Sequence, residues 1–356
     1  MSKCPRLEIE LSKIRHNTKT LVKLCNKHGI DLAGVTKVFC AIPEVAQVMV
    51  ENGVKILADS RIENLKKVKN INCPKMLLRL PMISQVHEVV KYADISLNSE
   101  IKTIEKLSEE ALKLGKVHNI ILMLDLGDLR EGVWADINNV EEIVEKILKL
   151  KGVKLIGIGT NLTCYGGVIP SKENLGKLQE IAEKISKKFD IELKIISGGN
   201  SSSIHLVQKN EMPMRINNLR LGESIVLGRE TAYGNIIENT YQDAFKLVAE
   251  VIELKEKPSV PIGEIGMDAF GNKPTFEDKG IRKRAILAIG RQDVNPDNLI
   301  PVDEKIEILG ASSDHLIVDV TDSEKKYKVG DEIIFNLEYG GLLQLATSEY
   351  VYKNIK

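Results

Sequence analysis

The chain has 356 residues, and its 50 lysines and arginines balance 50 aspartates and glutamates, so the formal net charge is zero. This length allows one large domain and a smaller one, and the charge balance argues against nucleic-acid or membrane-surface partners, both of which favour a basic excess. No run of about 18 apolar residues predicts a membrane span. The five scattered cysteines and the absence of an apolar signal core are typical of a cytoplasmic protein, and the six histidines form no metal-ligand cluster.

Helical and strand patterns alternate from residue 12 to about residue 228. The first helical segment, SKIRHNTKTLVKLCNKHG, opens with serine and ends in glycine, which are common helix caps. It is followed by the apolar run LAGVTKVF and the helical segment IPEVAQVMVENG. Further strand-like runs are KILAD, MLLRL, DISLN, NIILMLDLG, KLIGIGTNL, LKIISGG and NNLRLG. Amphipathic helical segments between them include SEIKTIEKLSEEALKLG, NNVEEIVEKILKLKG and KENLGKLQEIAEKISKKF.

This alternation indicates an α/β fold. Continuous apolar runs are typical of parallel strands that are buried on both faces. Eight such runs, separated by helices over about 220 residues, predict a closed (β/α)8 TIM-like barrel, with a doubly wound open sheet as the alternative.

The pattern changes after residue 240. Strand-like runs now follow one another without a convincing helix between them: FKLVAEVIELK, RAILAIG, KIEILG, DHLIVDV, DEIIFNL and EYVYK. We therefore predict a (β/α)8 barrel over residues 1–235 and a β-rich, antiparallel C-terminal domain over residues 236–356.

Lys37 lies within the apolar run LAGVTKVFC, where we expect it to be buried at the carboxyl end of the first barrel strand. A buried, unpaired ammonium costs free energy, and a lowered pKa that leaves a neutral amine avoids this cost. A neutral amine attacks an aldehyde to give the Schiff base that holds pyridoxal phosphate. The alternative is a lysine that reaches solvent or pairs with a carboxylate.

A second candidate site is the glycine- and serine-rich turn in ISGGNSSSIHL, residues 196–206. Backbone N–H groups and short hydroxyls at such a turn can bind a phosphate. This turn follows the seventh predicted strand, and RLGES (220–224) follows the eighth, where barrels commonly bind phosphate. The alternative is an ordinary glycine turn with a serine cap.

Together these segments resemble the alanine racemase family of pyridoxal-phosphate enzymes, called fold type III, over almost the whole chain, and within it the ornithine racemase branch. The opening LEIELSKIRHN is similar to the family's first strand and helix. GVTKVFCA places Lys37 on the cofactor lysine, and DLGDLREG places Arg130 on the arginine of the family pattern D-T-G-x-x-R-x-G. GASSDHLIVDVTD resembles the signature of the family's β domain, with a match at Asp314.

The resemblance also implies the residues that surround the cofactor. GNSSS places Asn200 and Ser201 on the Asn-Ser of the phosphate loop. RLGES places Gly222, with Glu223 beside it, on the phosphate-binding glycine, and Arg220 on the arginine that faces the pyridine nitrogen.

Arg220 bears on the type of reaction. A guanidinium beside the pyridine nitrogen disfavours protonation there, because two adjacent cations repel each other. The ring is then a weaker electron sink, which suits the removal and return of one proton, the chemistry of racemisation. The related basic-amino-acid decarboxylases carry a glutamate at this point, so Arg220 argues against a decarboxylase or lyase.

Three positions depart from the alanine racemases that this chain resembles. Asn161 lies where those enzymes have a histidine packed over the cofactor, and Met123 lies where many have a modified lysine that orients the arginine equivalent to Arg130. In AIGRQD, Arg291 stands where they have a tyrosine that the partner subunit supplies as the second proton-handling group. An arginine accepts protons poorly because its pKa exceeds about 12.

Racemisation needs a proton-handling group on each face of the α carbon. Lys37 supplies one. Candidates for the second are Asp293, Asp314, Ser312 and Ser313.

The missing tyrosine suggests a substrate with a longer side chain than alanine, with ornithine as the first choice. Asp293 or Asp314 could hold its distal ammonium, and Arg130 and Arg291 could bind its carboxylate. The resemblance implies a head-to-tail homodimer. Alanine racemase is the rival enzyme, and a cofactor-carrying protein without turnover is the non-enzyme alternative.

Overall fold

In the computed structural model, which describes residues 3–134, 140–267, 270–271 and 273–356, the chain divides into two units. One unit is Ser12–Gln242, and the other combines Met1–Leu11 with Asp243–Lys356. The boundary predicted between residues 235 and 236 differs from this division by seven residues and by the N-terminal segment.

The first unit alternates strands and helices. Its strands, with β1 (Arg6–Ile9) assigned to the other unit, are β2 (Asp31–Val35), β3 (Ile56–Asp59), β4 (Lys75–Leu77), β5 (Ile95–Asn98), β6 (His118–Asp125), β7 (Val133–Trp134), β8 (Val153–Gly159), β9 (Ile195–Ser197) and β10 (Asn218–Leu221). Its helices are α1 (Leu11–Asn26), α2 (Pro43–Glu51), α3 (Ile62–Lys67), α4 (Val86–Tyr92), α5 (Ile101–Lys113), α6 (Val140–Leu148), α7 (Lys172–Phe189), α8 (Ile204–Gln208) and α9 (Glu223–Leu227).

The strands of this unit close into a parallel barrel. Their order is β2, β3, β4, β5, β6, β8, β9 and β10, and β10 pairs again with β2, with Arg220 opposite Ala33. The predicted (β/α)8 barrel is therefore confirmed, and the open-sheet alternative is wrong. The short β7 pairs with β6.

Two apolar clusters explain why these segments form a barrel. One cluster fills the barrel interior and includes Ala33, Val35, Ala58, Ile121 and Met123. Alternate residues of the same strands, such as Ile120 and Leu122 of β6, belong to a larger cluster that also contains helix residues. Because successive side chains of a strand point to opposite faces, each apolar run supplies both layers.

Helix α7 shows how local sequence determines an element. Ser171 accepts a hydrogen bond from the Asn174 N–H at 3.2 Å, and the Asn174 side chain accepts one from the Ser171 N–H at 2.8 Å, which forms a capping box. The helix buries a stripe spaced at three or four residues: Leu175, Leu178, Ala182 and Ile185. It covers the predicted segment KENLGKLQEIAEKISKKF.

His118 is a titratable group inside the barrel unit. It begins β6, is 3% exposed, and shares a 2.8 Å hydrogen bond between its Nε2 and the Ser96 hydroxyl. Burial lowers the pKa of His118 to about 4. Between that value and the usual pKa near 6.5, the unfolded chain binds a proton that the folded chain does not. His118 should therefore cost stability as the pH falls from about 6.5 to 4.

Replacing His118 with glutamine should reduce this loss of stability at acidic pH. We expect the free energy of unfolding of the parent chain to fall by up to about 3 kcal/mol more than that of the variant over this pH range. Urea unfolding at pH 7.5, 5.5 and 4.5 measures the difference. His28→Gln, in the turn after α1, is the control. Parallel pH profiles for the parent and His118→Gln would show that His118 is not the group responsible.

The second unit is built on an antiparallel sheet. Its strands are β11 (Phe245–Pro258), β12 (Ile281–Leu287), β13 (Leu299–Pro301), β14 (Glu307–Ala311), β15 (Leu316–Asp319), β16 (Glu332–Leu337) and β17 (Tyr352–Ile355), and they are joined by β1. Strand β1 pairs with β11 and with β17. The buried Arg6 of β1 donates to both carboxylate oxygens of Glu332 at 2.6 and 2.7 Å, which ties β1 to β16.

The second unit also contains a helix, α10 (Tyr339–Thr347), so the expectation of a tail without helices is wrong. Gly340 and Gly341 weaken the helical pattern, because glycine is a poor helix former. Packing requires them here, since a Cβ on Gly341 would lie 2.9 Å from the Asn298 carbonyl oxygen. Among the described residues, no helix is long and apolar enough to cross a lipid bilayer.

Candidate active site

Lys37 lies at the carboxyl end of the barrel strands. Strand β2 ends at Val35, and Lys37 begins a 3₁₀ turn with an exposed side chain. The expected burial of Lys37 is therefore wrong, because the strand ends two residues earlier, at the barrel rim. Two residues in the left-handed region follow, Cys40 and Ala41, each with φ 52°, and they turn the chain towards α2.

A buried carboxylate anchors the segment before Lys37. Asp59, at the end of β3, accepts hydrogen bonds from the Thr36 hydroxyl at 2.6 Å, the Arg61 N–H at 2.9 Å and the Asn64 amide at 3.2 Å. Burial raises the pKa of Asp59, although these donors and the charge of Lys37 oppose the shift. Sequence reasoning missed Asp59, but a carboxylate that ends the apolar run KILAD at the carboxyl face of a barrel was a usable signal.

Arg220 is buried in β10. Its guanidinium donates to the Ser197 hydroxyl at 2.5 Å, the Thr160 carbonyl oxygen at 2.8 Å and Asn161 Oδ1 at 3.3 Å. Burial lowers the pKa of Arg220 to about 10, so the group is still a cation at neutral pH. The structure thus holds a fixed positive charge at the end of the eighth barrel strand.

The two predicted asparagines link this arginine to the glycine-serine turn. Asn161 Oδ1 accepts from Arg220 and from the Asn200 amide, the latter at 3.2 Å. The Asn200 amide also donates to the Leu162 carbonyl oxygen at 2.9 Å, and its Oδ1 accepts the Ser202 N–H at 2.8 Å. Asn161, Asn200 and Arg220 are therefore brought together as one hydrogen-bonded group.

Buried hydrogen-bonding atoms without partners surround this group. The Ser201 hydroxyl accepts the Ser224 N–H at 3.2 Å and so joins the two loops. Among the described residues, the Asn161 Nδ2 and the hydroxyls of Thr160, Ser202 and Ser224 are buried without a hydrogen-bond partner. Such unpaired groups are rare in folded chains. Their donors fit the acceptor oxygens of a phosphorylated ligand, as pyridoxal phosphate requires.

Gly222 and Glu223 lie at the edge of this cradle of buried donors. A Cβ on Gly222 would lie 3.1 Å from the Val35 Cβ, so glycine keeps the backbone close to β2. The carboxylate of Glu223 pairs with Arg229 Nε at 2.8 Å. Because a carboxylate repels a phosphate, only the backbone N–H of Glu223 suits the predicted phosphate-binding role.

Arg130 lies in the loop after β6 and pairs with its neighbour Glu131, a residue that sequence reasoning missed. The hydrogen bond to Glu131 raises the pKa of Arg130. Met123, two residues before the end of β6, is buried in the barrel interior and brings no charged group to Arg130.

The predicted residues of the second unit lie on two segments that contact each other. The Arg291 N–H donates to the Ser312 carbonyl oxygen at 2.8 Å, which joins the segments GRQD and GASSD. The Arg291 guanidinium donates to the Ala311 carbonyl oxygen and to Asn295 Oδ1, both at 3.2 Å, and lies 5.0 Å from the centre of the Phe270 ring.

Asp293 and Asp314 differ in their surroundings. Asp293 is half-buried, accepts the Ser348 hydroxyl at 2.6 Å, and lines a cavity of about 380 Å³ with Gln292, Gln344, Glu349 and Tyr350 among its neighbours. The Asp314 side chain is 69% exposed and accepts from His315 and from the hydroxyls of Ser312 and Ser313. The hydrogen bond from His315 is the main reason that the pKa of Asp314 is lowered.

The barrel, with its rim lysine and its cradle of buried donors, defines a class of (β/α)8 proteins that hold a phosphorylated ligand at the carboxyl ends of the strands. The family described as the alanine racemase N-terminal domain matches residues 9–230. The chain therefore belongs to the alanine racemase family, as the sequence motifs predicted.

Full-length relatives support this assignment. The chain is 54% identical over 351 residues to the ornithine racemase of Acetoanaerobium sticklandii, with 99% of each chain covered. It is 44% identical to the lysine racemase of Thermotoga maritima, with 98% of each covered.

Solved structures share the fold at low identity. The alanine racemase of Clostridium difficile 630 has a TM-score of 0.76 at 20% identity, covering 100% of this chain and 97% of that one. An alanine racemase of Bartonella henselae with covalently bound pyridoxal phosphate has a TM-score of 0.74 at 17% identity, covering both chains completely. The D-threonine aldolase of Filomicrobium marinum has a TM-score of 0.73 at 13% identity, covering 97% and 89%.

Proposed function

We propose that the protein is a pyridoxal-phosphate-dependent racemase that interconverts L- and D-ornithine. The chain is an enzyme of the racemase class, an isomerase, like the ornithine and lysine racemases that it matches end to end. The higher identity to the ornithine enzyme, 54% against 44%, carries the choice of ornithine.

The residues of the barrel mouth fit the cofactor. Lys37 would hold it covalently, and the donors around Ser201, Gly222 and the backbone of Glu223 would bind its phosphate. When bound, pyridoxal phosphate withdraws electrons from the substrate and so acidifies the proton on its α carbon. The buried cation of Arg220 would limit that withdrawal, because it disfavours a second positive charge on the pyridine nitrogen.

Lys37 Nζ would also take and return the α proton on one face of the substrate. Arg130, at the same end of the barrel, would bind the α-carboxylate, since a guanidinium matches a carboxylate with two parallel hydrogen bonds. We place the second proton-handling group in the β-rich unit of a second copy, in a head-to-tail homodimer. The five scattered cysteines, which include no CxxC pair, support a cytoplasmic location.

Of the two aspartates, Asp293 is the stronger candidate for a role at the substrate, because it lines a cavity whereas Asp314 is bound by its own neighbours at the surface. We expect Asp293→Asn to lower racemisation by about 100-fold or more, as loss of a proton-handling group does, and Asp314→Asn to have a smaller effect.

Rates measured from each enantiomer distinguish the roles of Asp293. A lost proton-handling group leaves deuterium exchange of one enantiomer intact, whereas a lost ammonium partner raises KM for ornithine and spares a substrate without the distal amine. Full activity of both variants in both directions would exclude both aspartates.

The substrate is tested by incubating L-amino acids with the enzyme and cofactor in deuterated water. We expect ornithine to lose optical rotation and gain α-deuterium faster than lysine or alanine. Release of carbon dioxide would instead identify a decarboxylase, and faster turnover of alanine would identify the rival racemase.

A further inference from the structure

In the loop after β6, two consecutive residues of opposite charge, Arg130 and Glu131, form an ion pair. Side chains of consecutive residues in an extended strand point to opposite faces, so Arg130 and Glu131 can pair only where the chain turns. Leu129 has φ 57° and Gly132 has φ 129°, so backbone turns stand on both sides of the pair. A Cβ on Gly132 would lie 2.4 Å from the Asp125 nitrogen, and therefore only glycine allows the chain to fold back on β6.

The buried carboxylate of Asp128 fixes this loop through hydrogen bonds to a second loop. Asp128 accepts backbone N–H groups of the loop after β8, namely those of Thr163, Cys164, Tyr165 and Val168. Burial alone would raise the pKa of Asp128, but these four donors outweigh it and hold the pKa below its usual value. Arg130 and Glu131 therefore lie on a loop that is held by hydrogen bonds to the loop after the next barrel strand, β8.

Glu131 holds one edge of the Arg130 guanidinium. Arg130 Nε donates to one carboxylate oxygen of Glu131, and Nη2 donates to the other at 2.5 Å. The side chain of Glu131 is only 14% exposed, whereas that of Arg130 is 43% exposed. Both oxygens are thus used on the Nε edge, and the second edge of the guanidinium, which carries Nη1, is left for an anion from the barrel mouth.

The charge of Glu131 also acts on a second cation, Arg220. The charges of Glu131 and Arg130 both act on the buried Arg220, in opposite directions. The carboxylate of Glu131 therefore opposes the repulsion between Arg130 and Arg220. Met123 cannot supply that carboxylate, because it is an apolar side chain within the barrel interior.

We propose that Glu131 is a positioning residue that orients Arg130 to bind the α-carboxylate of the amino-acid substrate. This inference rests on the proposed function, since it needs a substrate with an α-carboxylate at the barrel mouth. Glu131 would thus orient Arg130, which the apolar side chain of Met123 cannot do.

The test compares two amines that differ in that carboxylate. The holoenzyme is titrated with L-ornithine and with 1,4-diaminobutane, which is ornithine without its α-carboxylate, and the change in visible absorbance gives each dissociation constant. We expect Glu131→Gln to weaken ornithine binding by about 10- to 100-fold, the loss typical of a charged hydrogen bond, and to change diaminobutane binding by no more than about twofold. Glu131→Asp, which keeps the charge, should bind ornithine more tightly than Glu131→Gln.

Glu180→Gln, on the exposed outer face of α7, is the matched control, and thermal unfolding of each variant checks the fold. Equal weakening for both amines, unchanged ornithine binding, or an aspartate variant no better than the glutamine variant would overturn the proposal. A failure of the proposed function is seen separately, because the parent protein itself would then fail to racemise ornithine.

Discussion

Lys37→Ala is expected to lower ornithine racemisation by at least about 1,000-fold, because one side chain would lose two roles, covalent attachment of the cofactor and proton transfer on one face. The parent protein should be yellow, and borohydride reduction should fix the label on the peptide that contains Lys37. The rate is followed by loss of optical rotation, and the label by peptide mass mapping.

Lys55→Ala is the matched control for this experiment. Lys55 is an exposed lysine immediately before β3, at the opposite, amino-terminal end of the neighbouring barrel strand. Its removal should leave both colour and rate unchanged. A Lys37→Ala protein that keeps its reducible yellow band and turns over ornithine would contradict the assignment of this lysine.

The fold could be predicted wherever an element had a clear apolar pattern. Helix α7 was found because its apolar residues repeat at helical spacing, and the eight barrel strands were found as continuous apolar runs between helical segments. Helices α3, α8 and α9 have only six, five and five residues, too few for a period to be visible. Strand β1 was misplaced, because its partners β11 and β17 lie more than 200 residues away in the chain.

The site could be predicted in part. The rule that barrel strands present their carboxyl ends to the active site led to Lys37 and to the turns at 196–206 and 220–224. The resemblance to the family then implied Asn200 and Arg220 within those turns. The burial of Lys37 was wrong, because the apolar neighbours that suggested it, Val38 and Phe39, turn inwards while Lys37 stays exposed.

Asp59 and Glu131 were missed for a different reason. Their importance lies in contacts with Thr36 and Arg130, which depend on a strand pairing and on a loop reversal. The sequence marks Asp59 only by its position at the end of an apolar run, and it does not show either contact.

The fold alone does not identify the reaction, since a D-threonine aldolase shares it at a TM-score of 0.73. The alternatives must be judged on single residues. A decarboxylase or lyase is disfavoured by the buried cation of Arg220, and a carrier without turnover by the additional unit that contains Arg291 and Asp293.

Arg220→Gln is expected to lower racemisation by about 10- to 100-fold and to raise the share of side products such as the keto acid. Glutamine can still donate to two of the three oxygens that Arg220 binds, but it removes the cation. With the cofactor bound, the variant would no longer disfavour protonation of the pyridine nitrogen, so the cofactor would withdraw electrons from the substrate more strongly and side reactions would compete with return of the α proton. One unpaired acceptor should also cost about 1–3 kcal/mol of stability.

The measurement separates this chemical effect from simple damage. Racemisation is followed by optical rotation and keto acid by a coupled assay, and their ratio is compared between Arg220→Gln and Arg220→Lys, which retains the charge with fewer donors. Arg215→Gln, exposed and five residues earlier, is the control. If the cation governs the reaction, the ratio rises only in the glutamine variant. If packing alone matters, both Arg220 variants lose activity and the ratio of keto acid to racemised product stays constant. That result would remove the physical reason for preferring a racemase to the other reactions of this fold.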